Sequence, residues 1–171
     1  MVAAVVLAAG AATRYGSPKQ WRFLPAVLDR LAASPVDRRV VVVWGAHPPA
    51  SDKLSQAGVR LVEARDWELG PGASLRAGLR ALPDEATHAL VALADGPDLD
   101  PRAVERVLAH RNESAVVAAS YGGVRGHPVC LARAVWDRVP DEGGRALEAL
   151  LVPCDDYDPP GDVDFADLEG E

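Results

Sequence analysis

Val2-Ala3-Ala4-Val5-Val6-Leu7-Ala8 runs directly into Ala9-Gly10-Ala11-Ala12-Thr13-Arg14-Tyr15-Gly16-Ser17-Pro18-Lys19. The first part is a continuous apolar run rich in β-branched residues, the composition of a strand buried on both faces of a parallel sheet. The second part is a loop of small residues carrying two cations. Small side chains let backbone N–H groups approach a ligand closely, where a bulky one would block them. Arg14 offers a planar fork suited to phosphate, and Lys19 a mobile point charge. Two readings stand on these residues alone. One is a phosphate-binding loop; the other is a tight turn with two solvated cations. Neither the Walker A spacing nor the dinucleotide fingerprint is present.

Working outward, Leu24, Val27, Leu28 and Leu31 form the stripe of an amphipathic helix that Ala33-Ser34-Pro35 ends. Arg39 to Trp44 reads as a second buried strand, a short helix is expected over residues 50–57, and Val59 to Ala64 is a third strand. This alternation calls for a three-layer α/β/α, Rossmann-like domain with a mostly parallel sheet. Gly70-Pro71-Gly72-Ala73-Ser74-Leu75 is a glycine-rich turn into a helix with Leu75, Leu79 and Leu82 on one side. Ser74 is placed at the helix start, as an N-cap or as a contact for an anion or a base edge. His88 to Ala94 is the fourth strand, ending at Asp95-Gly96-Pro97. A carboxylate just past a buried parallel strand sits where open α/β sheets bind ligands, and it needs a cation or a hydrogen-bond partner. Asp100-Pro101 reads as N-cap and first helical residue. Ser114 to Tyr121 is a fifth strand, Gly122 to Leu131 a turn into another extended run, and a helix is expected from Arg145 to Leu151.

The chain has 171 residues, 49% of them hydrophobic and 25% charged, the balance of one soluble globular domain. A net charge of −7 disfavours a general nucleic-acid surface while leaving room for an anionic substrate met by local cations or a metal. Cys130 and Cys154 stand far apart without zinc spacing, which fits small buried residues in a reducing cytoplasm. The apolar start is too short to span a membrane and is followed by a charged loop, so it reads as a core strand.

Leu7-Ala8-Ala9-Gly10, then Arg14, Gly16, Pro18 and Lys19, resemble the opening motif of the molybdopterin-type nucleotidyltransferases. That MobA-like group includes the molybdenum cofactor cytidylyltransferases and guanylyltransferases. The resemblance implies that this loop wraps the base and triphosphate of a nucleoside triphosphate, with Leu7, Ala8, Ala9 and Gly10 binding the nucleotide and Arg14 and Lys19 catalytic. Gly70 to Gly78 is similar to the family's Gly-x-Gly-x-Ser-Leu-Arg-x-Gly pattern, which carries over Ser74 as a nucleotide contact. Asp95 falls in the slot of a Gly-Asp-Met-Pro segment whose acid binds Mg2+, although Ala94 and Gly96 replace two neighbours. Gly161 to Leu168 is similar to the family's closing acidic segment, which places Asp164 on the same metal. The residues alone also allow Asp164 to be a helix cap. Arg125-Gly126-His127-Pro128-Val129 resembles the segment near the acceptor, making Arg125 or His127 an acceptor contact, where an ordinary loop histidine is the other reading.

The implied activity is transfer of a nucleoside monophosphate from a triphosphate to a phosphorylated acceptor such as molybdopterin. CTP is favoured because Ala9 stands where guanylyl-transferring relatives tend to have a second glycine. The segment after Lys19 is shorter than in relatives. GTP or another nucleotide–acceptor pair, a non-catalytic nucleotide-binding protein, and a pigment-reducing oxidoreductase are the alternatives.

Overall fold

The computed structural model describes residues 1–9, 19–49 and 58–161, with Lys19 and Gln20 placed by their backbone alone. Its centre is a seven-stranded sheet: β1 (Val2–Ala8), β2 (Val40–Trp44), β3 (Val59–Glu63), β4 (His88–Leu93), β5 (Val116–Tyr121), β6 (Val124–Ala132) and β7 (Leu150–Pro153). The spatial order is β3-β2-β1-β4-β6-β5-β7, and β6 alone runs against its neighbours. The sheet is therefore mostly parallel, as its apolar runs require.

Strand β1 shows why the opening run is apolar throughout. Ala4 and Val6 face a core shared with Leu24, Val27, Leu28 and Leu31 of α1 (Lys19–Ala32) and with Val104, Val107 and Leu108 of α3 (Pro101–Ala109). Ala3 and Val5 face the other core, with Leu75 and Leu79 of α2 (Pro71–Arg80) and with Val135 and Trp136 of a 3-10 turn at Arg133–Arg138. A strand with a helical layer on each side has no solvent face, so strict alternation of polar and apolar residues is absent. Helix α2 presses close to the sheet because Gly78 has no side chain. A Cβ there would lie 2.7 Å from both Val43 and Val5.

Two elements differ from the sequence reading. Leu150–Pro153 is a strand, pairing in parallel with β5 from Val117↔Leu150 to Ser120↔Pro153, where a helix was expected. Leu147, Leu150 and Leu151 mimic a helical stripe, but only Val152 of that strand is buried, while Leu151 is exposed at the sheet's edge. Helix α2 also starts earlier than Ser74: its N-cap is Gly70, and Ser74 is buried in the first turn. The helix expected over residues 50–57 lies outside the described residues. Asp100 is the N-cap of α3 as read, its carboxylate accepting from the Arg102 backbone N–H at 2.9 Å.

Candidate active site at the strand switch

The direction of chain winding reverses between β1 and β4: β2 and β3 lie on one side of β1, and β4, β6, β5 and β7 on the other. In open α/β sheets ligands bind at the carboxyl ends of strands where the order reverses. Leu7 pairs with Leu93 at that point, and the Ala94 N–H donates to the Leu7 carbonyl at 3.0 Å. The chain from β4 then turns through Asp95 and Gly96, closed by Gly96 N–H to Leu93 O at 3.2 Å. Asp95 thus stands half-buried just past the carboxyl end of β4, beside the end of β1.

Beside it opens a cavity of about 230 Å3, floored by Leu7, Val91, Leu93, Val129 and Leu131 and walled by Leu75. Because β6 is antiparallel to β4, its beginning lies at the same edge, and Arg125 and His127 reach the rim. The outer wall is the turn Glu142-Gly143-Gly144-Arg145. A second, shallower lobe of about 330 Å3 shares Leu93, Arg125, Gly126, His127 and Arg145 and adds Tyr121, Pro159 and Pro160.

That outer wall is fastened from two sides. Arg76 on α2 donates to the Val139 carbonyl at 2.7 Å and to the Asp141 carboxylate at 2.5 Å. The Gly72 N–H donates to the Asp141 carbonyl at 3.0 Å. A Cβ at Gly72 would overlap the Pro140 carbonyl oxygen, and Gly70, at a φ of 132°, lies against the Asp141 carbonyl. The glycines of this turn are thus required by backbone packing. Gly72→Ala is expected to lower stability by about 1–3 kcal/mol, the range for forcing extra atoms into a packed site. Thermal unfolding checks it: an unchanged midpoint would mean that the 140–141 segment moves aside freely.

From the other side Arg125 donates to the Leu147 carbonyl at 2.6 Å and to the Gly144 carbonyl at 3.0 Å. Burial, and then the charge of Arg145, pull its pKa below the usual guanidinium value. The group remains a cation, since guanidinium does not deprotonate in proteins. Tyr121 braces the same edge: its hydroxyl donates to the His127 carbonyl at 2.8 Å. Burial pushes the phenol pKa up, so it stays a donor.

The placements are therefore these. Leu7 and Ala8 end β1, with Ala9 just beyond it, Leu7 on the cavity floor. Arg125 and His127 line the cavity and Asp95 follows β4 at the same edge of the sheet, while Ser74 is buried beside the wall residue Leu75. Lys19 is the first residue of α1. Gly10, Arg14 and Asp164 lie outside the described residues. Sequence reasoning missed Arg76, Glu142 and Arg145. The run Gly143-Gly144-Arg145 repeats the small-residue and cation composition of the first loop, and that was the available signal.

No group of three or more His, Cys, Asp and Glu side chains gathers among the described residues, so these supply no full protein cage for a metal. Mg2+ takes only one or two carboxylates and fills its remaining positions with water and phosphate oxygens. Asp95, a hard carboxylate just past the carboxyl end of β4, is of the ligand type that demand calls for. Asp164 is the proposed second ligand.

Comparison with known proteins matches the fold that carries these residues. Nicotine blue oxidoreductase of Paenarthrobacter nicotinovorans is 31% identical over 188 residues, spanning 95% of this chain and 92% of that one. The crystal structure of Rv0371c from Mycobacterium tuberculosis H37Rv superposes with a TM-score of 0.79 at 26% identity, covering 99% of this chain and 96% of that one. A structure of Rv0371c in complex with manganese superposes at 0.71 and 23% identity, with coverage of 99% and 96%. The model of the MobA-like NTP transferase domain matches residues 4–152, from β1 to the end of the sheet, and the chain belongs to that family.

Proposed function

We propose that the chain transfers a nucleoside monophosphate, with CMP preferred, from its triphosphate to a phosphorylated acceptor of the molybdopterin type. An oxygen of the acceptor phosphate bonds to the α-phosphorus, the bond to the bridging oxygen breaks, and pyrophosphate leaves with the electron pair. Such an acceptor is anionic near neutral pH, so no general base is required. Positioning and charge neutralisation supply most of the rate.

The observation that carries this reading is the place of Asp95. It is a carboxylate at the carboxyl end of β4, beside β1 where strand order reverses, in a chain whose family uses nucleoside triphosphates. Asp95 and Asp164 hold Mg2+ in this reading. When bound, the ion neutralises phosphate charge and orients the triphosphate. The manganese complex of the mycobacterial relative supports a divalent ion. Arg14 and Lys19 neutralise the triphosphate, residues 7–10 and Ser74 contact the nucleotide, and Arg125 and His127 stand at the acceptor side. No helix among the described residues is long and apolar enough to cross a membrane, and the reading places the protein in the cytoplasm acting on small molecules.

Ala9 ahead of Gly10 predicts selectivity for CTP over GTP. A thermal-shift comparison in Mg2+ is expected to show the larger stabilisation with CTP. Equal or larger stabilisation by GTP would remove the cytidylyl assignment.

A second reading rests on the 31% identity to nicotine blue oxidoreductase over nearly the whole chain. In it the cavity takes a pigment that a nicotinamide nucleotide reduces. The absence of the dinucleotide fingerprint from the sequence ranks it second. Consumption of NADH or NADPH in the presence of such a pigment would reverse the order.

A further inference from the structure

We propose that Arg145 is the cation that receives the anionic group of the acceptor, that the 230 Å3 cavity takes the acceptor's apolar body, and that Arg125 is a positioning residue for both. The assignment of this ligand as the acceptor rests on the nucleotidyltransferase reading; the binding site itself does not.

Three observations lead here. First, the cavity floor is aliphatic, from Leu7, Val91, Leu93, Val129 and Leu131. A charged or strongly polar group placed on it would lose its hydration without compensation, so an amphipathic ligand enters body first and leaves its charge at the rim. Second, the rim cations are not equivalent. Arg125 has both terminal nitrogens engaged with the carbonyls of Gly144 and Leu147, at 3.0 and 2.6 Å. Arg145 is exposed, lines both lobes, and has no hydrogen-bond or ion-pair partner among the described residues. Its fork is available for a carboxylate, sulfonate or phosphate. Third, the carbonyls that Arg125 holds belong to Gly144 and Leu147, which flank Arg145 on its own turn. Arg125 therefore fixes the backbone that carries Arg145 while its charge adds to the field at the rim. The ligand class follows: an amphipathic small molecule with an apolar portion for the floor and an anionic substituent for the rim.

The test uses the full-length protein without nucleotide and two fluorescent probes of similar shape. Anilinonaphthalene sulfonate carries the anion, and phenylnaphthylamine lacks it. Arg145→Gln is expected to weaken the sulfonate about tenfold, the scale of one charge-assisted hydrogen bond, and to leave the neutral dye unchanged. Arg145→Lys should restore part of the sulfonate affinity. Leu93→Trp, which fills the cavity, should weaken both dyes. Arg125→Gln should weaken both as well, since the wall turn loses its anchor, with circular dichroism confirming the fold. Sulfonate binding unchanged in Arg145→Gln would overturn the role of Arg145. Both dyes unaffected by Leu93→Trp would overturn the cavity as the site. Mg2+-dependent CTP binding, measured separately, reports on the nucleotide reading, so either half can fail alone.

Discussion

Lys19→Ala is expected to lower pyrophosphate release with the correct acceptor by about 10²–10³-fold, the cost of removing one donor aimed at transition-state charge. The developing negative charge on the departing pyrophosphate is where a cation acts most strongly, because it is absent from the ground state. Lys19 is the first residue of α1, and Ala is the best helix former, so the substitution leaves that helix intact. The measurement is a coupled pyrophosphate assay under saturating Mg2+ and CTP, with the thermal midpoint as a fold control. Turnover at the parent rate would make Lys19 a solvated surface residue and leave the charge to Arg14.

The second large effect concerns the metal. Asp95→Asn keeps the size of the side chain and removes its charge. Mg2+-dependent CTP affinity should then fall by at least about 10–100-fold, the loss seen when even an outer-shell partner of a metal is mutated. If Asp164 shares the ion, Asp164→Asn also weakens binding, and the double variant loses much less than the sum, because both changes remove one ion. If Asp164 only caps a helix, its Asn variant is silent, since Asn caps about as well as Asp. Calorimetric titration of the two single variants and the double separates these cases. A silent Asp164→Asn or strict additivity would leave Asp95 as the protein ligand of the account.

The parts legible in the sequence were those set by local composition. Buried runs such as Val2–Ala8 and Val40–Trp44 can only be central strands, and their spacing by helical stripes fixes a parallel sheet. Asp95 was legible for the same reason, since it follows such a run directly. What was not legible depends on partners distant in the chain. The antiparallel run of β6 follows from its pairing with β4, and no residue within Val124–Ala132 announces it. Strand β7 carries a leucine spacing that suits a helix, and only pairing with β5 decides against it. Gly72 looks like a ligand-facing glycine until Pro140, far downstream, is seen against it. Arg125 looks like a ligand contact until the carbonyls of Gly144 and Leu147 are seen to hold it. Arg145 was hidden because the stretch from it to Leu151 reads as an ordinary helix, with no sign that its turn closes over the cavity.

These corrections shift the account at one point. Residues 139–147 form one wall of the cavity, tied down by Arg76 and Arg125, and in the proposed reading the acceptor meets the protein there. If the aliphatic floor receives the acceptor, as proposed, the acceptor carries an apolar portion, a condition that molybdopterin and its alternatives can be compared against directly.

The most direct test of the central claim is pyrophosphate release from CTP, with Mg2+ and a molybdopterin-type acceptor each present and withheld. The account predicts release that requires both together and is lost in Asp95→Asn. No release from any common nucleoside triphosphate, while a pigment substrate consumes NADH or NADPH, would contradict it.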